Sequence, residues 1–512
     1  MKLDIVRNAK RNMVAGLVNK GLMMLFPFLN RTLFLWLLGP AYLGLNGLFG
    51  SVLGVLSLAE LGFGSAVVCS MYKPIAEDDK ACVSAYLAYY RKVYRVIGAL
   101  VFLVGISLLP FLGRLVHGDV PADVSLHVLY LIHLANTTVG YFLFAYKGAL
   151  LSAYQREDIH SHIRSGISVA QYLVTFAILF LTRNYTAYVL ATVVFTVATN
   201  LCIEWQTRRL FPEIVPAGRL SEERRRRVVT DVKAIFLHKI GSVISYSADN
   251  LVISAFLGLV AVAAYGNYYY VYTAVGGVVY ILFNSLSAGF GNTIQTESVA
   301  DNFARFMKAN RLAMLVVGWC AALMLALYQP FMQVWTGGRD PSLLRHFLTP
   351  LLMVVYFYVN ESRQMLQTFK SAAGLWHQDR WKPIVAGVVN LVLNVSMIGW
   401  IGLDGVILST LVAFLVIEIP WEAAVLFRCY FDRDPADRAG RARAYWRFQA
   451  ESLLTTGALV AAVWGVSACV PLEGFAGLVV KGLAAAATAT LLLWPFARRD
   501  GLTLAHLKGK TK

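Results

Sequence analysis

The stretch QTRRLFPEIVPAGRLSEERRRRVVTDVK, residues 206–233, decides how the rest of the chain is read. It holds eight Lys and Arg residues, four of them consecutive from Arg224 to Arg227, and it lies between two long apolar regions. A basic run flanked by stretches of about 20 apolar residues marks the cytoplasmic side of a bilayer, because positive charge is retained there. Outward from this run, apolar stretches alternate with gaps that are basic only every second time. Of the 46 Lys and Arg residues, 36 fall in those alternate gaps and four, Arg114, Arg183, Arg339 and Arg345, in the intervening ones. The remaining six, Lys20, Arg31, Lys147, Lys239, Arg363 and Lys481, lie inside the apolar stretches.

The alternation predicts an all-α integral membrane protein with about fourteen transmembrane helices. They fall near residues 13–38, 43–70, 96–116, 125–150, 166–181, 187–205, 235–257, 262–289, 312–330, 346–369, 383–401, 406–427, 451–470 and 475–496. Both termini then face the cytoplasm, and the inner (cytoplasmic) membrane is the expected location. A mean hydropathy of +0.60 with 58% hydrophobic and 15% charged residues excludes a single soluble domain of 512 residues. The formal charge of +17 follows from membrane orientation alone, so nucleic acid is not an expected partner. The first apolar stretch lacks an A-x-A-like cleavage site and reads as a retained anchor. The six cysteines are scattered without a C-x-x-C pair, and no metal site or disulfide framework is expected.

The gaps divide the chain into an N-terminal lobe, residues 1–205, a cytoplasmic basic linker, 206–233, and a C-terminal lobe, 234–428. A cytoplasmic loop, 429–450, precedes a final pair of spans and a cytoplasmic tail, 451–512. An internal echo supports two lobes of six spans. Asn30-Arg31, Leu38-Gly39 and Gly62-Phe63-Gly64-Ser65 are answered by Asp249-Asn250, Leu257-Gly258 and Gly289-Phe290-Gly291-Asn292. The offset is 219 residues at the first two landmarks and 227 at the last. An even number of spans per lobe makes the repeat parallel and pseudo-two-fold, an arrangement that places a transported substrate at the lobe interface.

Polar side chains inside spans carry the functional information, since ionisable groups in hydrocarbon are costly unless they face a cavity or a partner. The expected substrate-binding set is Lys20, Arg31, Asn46, Arg363, Gln364 and Gln367. Glu60, Asp249 and Glu361 are the expected coupling or gating groups. Asn46, Ser57, Glu60 and Gly64 align on one side of an unbroken second span. The alternative for Arg31 and Arg363 is internal pairing with Asp249 or Glu361, and for Glu60 and Glu418 a structural hydrogen-bonding role. Lys147 is expected to snorkel to the cytoplasmic interface. No catalytic set, metal site or cofactor is expected. Without G-x-x-x-x-G-K-[ST] the direct energy source is not ATP, which leaves a membrane potential or a proton or sodium gradient.

The run Asn30-Arg31-Thr32-Leu33-Phe34, Leu38-Gly39, Tyr42 to Phe49, Leu56 to Ala66 and Tyr72-Lys73-Pro74-Ile75-Ala76, with Asp249-Asn250-Leu251-Val252-Ile253-Ser254, resembles the polysaccharide-transporter (Wzx-type) flippases. These belong to the multidrug/oligosaccharidyl-lipid/polysaccharide exporter superfamily. The resemblance is carried by residues 8–80 and 234–295. It implies alternating-access movement of an undecaprenyl-diphosphate-linked oligosaccharide from the inner to the outer leaflet. It also implies a lipid-lodged polyprenyl tail against the last two spans, and a polysaccharide polymerase and chain-length regulator as partners. Arg31 and Arg363 suit a diphosphate, and Asn46, Gln364 and Gln367 suit sugar hydroxyls. The competing readings are a drug/cation antiporter of the same superfamily and a membrane polysaccharide-processing enzyme.

Overall fold

The computed structural model describes residues 21, 24–60, 62–117, 120–336, 340–433 and 438–499. Among them there is no strand. The helices are α1 (Met24–Leu37), α2 (Pro40–Leu56), α3 (Phe63–Ala76), α4 (Lys80–Ser107), α5 (Leu112–Leu115), α6 (Leu126–Phe142), α7 (Gly148–Ala153), α8 (Glu157–Thr182) and α9 (Tyr185–Leu210). They continue with α10 (Glu222–Leu257), α11 (Leu259–Thr296), α12 (Val299–Thr336), α13 (Leu348–Ala372), α14 (Lys382–Ile401), α15 (Leu403–Ala413), α16 (Ile419–Cys429), α17 (Arg438–Ala468) and α18 (Gly474–Arg499).

Nine helical segments among the described residues are long and apolar enough to cross a membrane. The pair α6 and α7, bent by 51°, makes ten. Their outer faces are apolar: Leu181 on α8 is 84% exposed and Leu454 on α17 is 74% exposed. Such faces are stable against lipid tails and unfavourable against water. The chain is a multi-pass membrane protein, helical and without strands among the described residues.

The basic run that opens the sequence reading is mostly helix. Only residues 211–221 lie between α9 and α10. Ser221 caps α10 by accepting from the Arg224 amide, and Glu222 and Glu223 occupy the first turn, where the helix dipole favours negative charge. Glu222 then pairs with Arg225 and Arg226, and Glu223 with Arg227. The hydrogen bond from Arg225, joined by Arg226, holds the Glu222 carboxyl below its ordinary range.

The second apolar stretch is not one straight helix. α2 ends at Leu56, a 3-10 turn runs from Ser57 to Glu60, and α3 starts at Phe63. The expected alignment of Asn46 with Glu60 and Gly64 along one helix face is therefore corrected: Glu60 sits in the break. Equivalent landmarks do share a backbone conformation. Gly39 between α1 and α2 has φ 100° and ψ 176°, and Gly258 between α10 and α11 has φ 86° and ψ 179°. Both are in a region open to glycine and closed to most L-residues, so the sequence echo is matched by the same sharp helix-to-helix junction.

The chain separates into two compact units, Met1–Ala263 and Ala264–Lys512. In the first, α2 packs on α10 and α6, α3 on α4, α7 and α10, and α9 on α6 and α8. Its core includes Phe63, Val67, Met71, Val83, Leu87, Tyr90 and Tyr94. In the second, α12 packs on α13, α17 and α18. Ala322, Ala326, Ala485 and Ala489 meet Leu459 and Val463 there, small residues that bring helix backbones close in a membrane.

One approach in the first unit leaves no room for a side chain. A Cβ on Gly44 of α2 would stand 1.9 Å from the carbonyl oxygen of Leu259. Gly44→Leu is expected to push these backbones apart and cost about 1–3 kcal/mol, the usual penalty for overpacking. Thermal unfolding of the purified variant reads this, and native-like melting would refute the contact.

Candidate functional site

The second unit contains a buried network of six charges on α13, the α13–α14 loop, α14 and α16. Arg363, Gln367 and Lys370 are spaced by four and three residues, so they share one face of α13. Lys382 opens α14 and Asp379 lies in the loop before it. Glu418 and Glu422 are one turn apart, the first closing a π-turn over Phe414–Glu418 and the second on α16.

Their contacts make one cluster. Arg363 touches Glu418 and places Nε 3.8 Å from Glu422. Its guanidinium lies 4.5 Å from the Phe414 ring centroid, a cation–π arrangement. Lys382 pairs with Glu422, stands 3.4 Å from Glu418 and 3.8 Å from Asp379. Lys370 pairs with Asp379 and lies 3.9 Å from Glu422. The Gln367 amide donates to Glu422 at 3.0 Å. Three cations thus face three carboxylates with no net charge, which is how ionised groups are tolerated away from water. Glu422 is the hub and has no exposure, whereas the Glu418 and Arg363 side chains, at 12% and 10%, form the accessible edge.

Glu361 is buried beside this network. One of its oxygens accepts from Asn360 at 3.0 Å, and the other, Oε2, has no hydrogen-bond partner. Gln364 is half-buried on α13.

The other sequence candidates belong to the first unit. Arg31 of α1 is half-buried and donates from Nη2 to the Ala263 carbonyl at 3.4 Å. Asp249 of α10 is buried, and its neighbour Asn250 donates to Ser51 Oγ at 2.9 Å. Asn46 is half-buried on α2. Glu60 is held by phenols: Tyr141 donates to one oxygen at 2.6 Å, Tyr94 to the other, and Tyr90 donates to Tyr94 at 2.7 Å. Lys20 lies outside the described residues, as does Arg339.

Two expectations change. Arg363 is paired internally, and its carboxylate partners are Glu418 and Glu422 where the sequence reading offered Asp249 or Glu361. Lys147 does not snorkel. It is 6% exposed and paired with Glu204, which also binds Arg208, because Glu204 offers a closer counter-charge than the interface. Sequence reading missed Lys370, Asp379, Lys382 and Glu422. Lys370 and Lys382 fall among the basic residues of a gap between spans, and Asp379 lies in the same gap. The spacing of Glu418 and Glu422 inside an apolar span, opposite in sign to a Arg363-Gln367-Lys370 face, was the available signal.

Among the described residues no group of three or more His, Cys, Asp or Glu residues could hold a metal ion. A cavity of about 420 Å³ opens between α12, α17 and α18. Arg311, Arg447 and Glu451 line it with the hydroxyls of Ser452, Thr455 and Thr456, and Met314, Leu315, Leu493 and Phe496 add apolar wall.

No family model and no curated protein matches the chain. Solved structures do. A lipid II flippase, MurJ, in an inward closed conformation superposes with a TM-score of 0.70 at 14% identity, covering 95% of this chain and 99% of that one. An inward-facing multidrug resistance MATE family transporter of the MOP superfamily gives 0.61 at 17%, covering 78% and 93%. A MOP superfamily transporter from Pyrococcus furiosus gives 0.52 at 16%, covering 82% and 96%. At these identities the likeness shows a common fold.

Proposed function

We propose that this protein is a flippase that carries an undecaprenyl-diphosphate-linked oligosaccharide from the inner to the outer leaflet of the cytoplasmic membrane. The observation that carries this reading is the cavity between α12, α17 and α18, whose two arginines and three hydroxyls adjoin apolar wall. An anionic headgroup with sugars and a polyprenyl tail suits that combination: Glu451 pairs with Arg447 at 2.8 Å, and two arginines against one glutamate leave the lining with one net positive charge, which favours an anion over a cationic drug. The flippase MurJ is named for a lipid-linked cargo, and a cargo of that class is assigned here. On this reading fourteen crossings form two parallel six-helix lobes, 1–205 and 234–428, joined by 206–233, with both termini cytoplasmic. The loop 429–450 leads to the final pair, α17 and α18. The repeated Gly39 and Gly258 junctions support the two-lobe arrangement.

In this reading Lys20, Arg31, Asn46, Arg363, Gln364 and Gln367 bind cargo, and Glu60, Asp249 and Glu361 couple transport to a proton or sodium gradient. A polymerase and a chain-length regulator act downstream. Asp249→Asn is expected to abolish the dependence of transport on the proton gradient. An unchanged dependence in vesicles would remove Asp249 from the coupling set.

One observation favours a second reading, a cation-coupled drug antiporter: Glu361 is a buried carboxylate with an oxygen free of hydrogen bonds, which a cation can use. The deciding experiment locates the lipid-linked oligosaccharide by leaflet in cells depleted of the protein. Accumulation on the cytoplasmic side, relieved by the wild type, supports flipping. Normal outward appearance of the glycan would discard it, and acquired resistance to cationic dyes would favour the antiporter.

A further inference from the structure

Glu418 and Glu422 look alike in sequence, but their surroundings differ. Glu422 is wholly buried and contacts Lys382, Lys370, Arg363 and Gln367. Glu418 meets only the outer edge of the cluster, Arg363 and Lys382, and is the most exposed of the three acids. It closes the π-turn Phe414–Glu418, and Pro420, which has no amide hydrogen, follows two residues later. Such turns are local register shifts, common at functional sites, and returning the turn to α register would rotate Glu418 relative to α13.

Arg363 is the second observation. It is 9% exposed, and Glu418 grips it through one nitrogen only: Nη1 meets a single Glu418 oxygen, and Nε stands 3.8 Å from Glu422. A planar guanidinium satisfies its donors best against an anion that accepts two parallel N–H bonds, as phosphate oxygens do. Glu418 supplies charge without supplying that geometry. If Glu418 leaves, Arg363, Lys370 and Lys382 face only Asp379 and Glu422, and the edge of the cluster carries one uncompensated positive charge.

We infer that Glu418 is a resident stand-in for a substrate phosphate: it occupies an anion site built by Arg363 and Lys382, and an incoming diphosphate group displaces it. This rests on the flippase reading for its cargo and adds how the cargo enters. In the empty state the cations stay neutralised inside the membrane. In the loaded state the phosphate takes the place of Glu418 on the Arg363 guanidinium, and Glu418 moves out on its π-turn.

The test measures binding of inorganic diphosphate and, separately, of undecaprenyl diphosphate to the full chain in lipid nanodiscs. Glu418→Gln removes the competitor and is expected to tighten binding about tenfold, the size of an effect near 1.4 kcal/mol. A gain with both probes makes the phosphate group itself the ligand, and a gain with undecaprenyl diphosphate alone makes it the lipid headgroup. Unchanged or weaker binding by Glu418→Gln in both arms would overturn the inference. If that variant is too unstable to purify, the charge-balanced pair Arg363→Gln/Glu418→Gln carries the test. Loss of wild-type diphosphate affinity there supports the site, and retained affinity overturns it. The leaflet assay reads the flippase function separately, so a protein that binds diphosphate in this manner but moves no oligosaccharide would fail only the functional reading.

Discussion

Glu422→Gln is expected to be among the most destabilising single substitutions in the second unit, at about 3–5 kcal/mol, the usual cost of breaking a buried ion network by removing one partner. The shape of the side chain is kept, so the effect isolates charge. Without this carboxylate, Arg363, Lys370 and Lys382 share Asp379 and Glu418, and the charge lost is the one all three cations contact. The orphaned cation has no route to water from the hub, because Glu422 has no exposure and Lys382 and Lys370 have almost none. Removing a cation as well, in Lys382→Met/Glu422→Gln, is expected to recover at least half the loss, since a neutral apolar substitute is tolerated where an unpaired charge is not. Thermal unfolding in detergent reads both variants. Equal melting of Glu422→Gln and wild type would mean that the network is solvated in the membrane. Glu418→Gln should be milder, because its charge lies at the edge and an anion can replace it.

What the sequence reveals and what it conceals follow from the range of the forces involved. Hydropathy and the basic alternation are summed over about 20 residues, so single errors average out, and helix underlies the apolar stretches wherever they are described. The junctions at Gly39 and Gly258 were legible as repeated Leu-Gly pairs because the backbone conformation restricts the residue type. The break at Ser57–Glu60 was not, because its residues are apolar enough to continue a helix and the tyrosines that hold Glu60 come from α4 and α6. The site shows the same division. That α13 is unusually polar was visible along the chain. That Arg363 meets Glu418 and Glu422 was not, because the partners lie 55 and 59 positions further on and only helix packing brings them together. Charges at span ends are the hardest: Lys370 and Lys382 read as cytoplasmic anchors by position, yet Asp379 in the short loop folds back and buries both.

Arg31→Ala is expected to abolish export, and Arg31→Lys to retain part of it. Arg31 is carried by α1, which ends at the Gly39 junction, and its guanidinium is half-buried with one donor on the Ala263 carbonyl. That bond helps to orient the planar guanidinium, whose fork geometry suits a diphosphate. A desolvated, hydrogen-bonded charge pair lost from a binding site costs about 2–5 kcal/mol, roughly thirtyfold or more in affinity. Lysine keeps the charge but loses the planar fork, so it should fall between the two. Export is read as surface glycan in cells that contain equal amounts of each variant. A purely structural Arg31 would lower protein level and melting temperature in Arg31→Ala and leave transport per molecule intact. Full export by Arg31→Ala at normal protein level would take Arg31 out of the cargo site. Of the two arginines assigned to a diphosphate, Arg363 would then be the one left, and it has to exchange Glu418 for the phosphate.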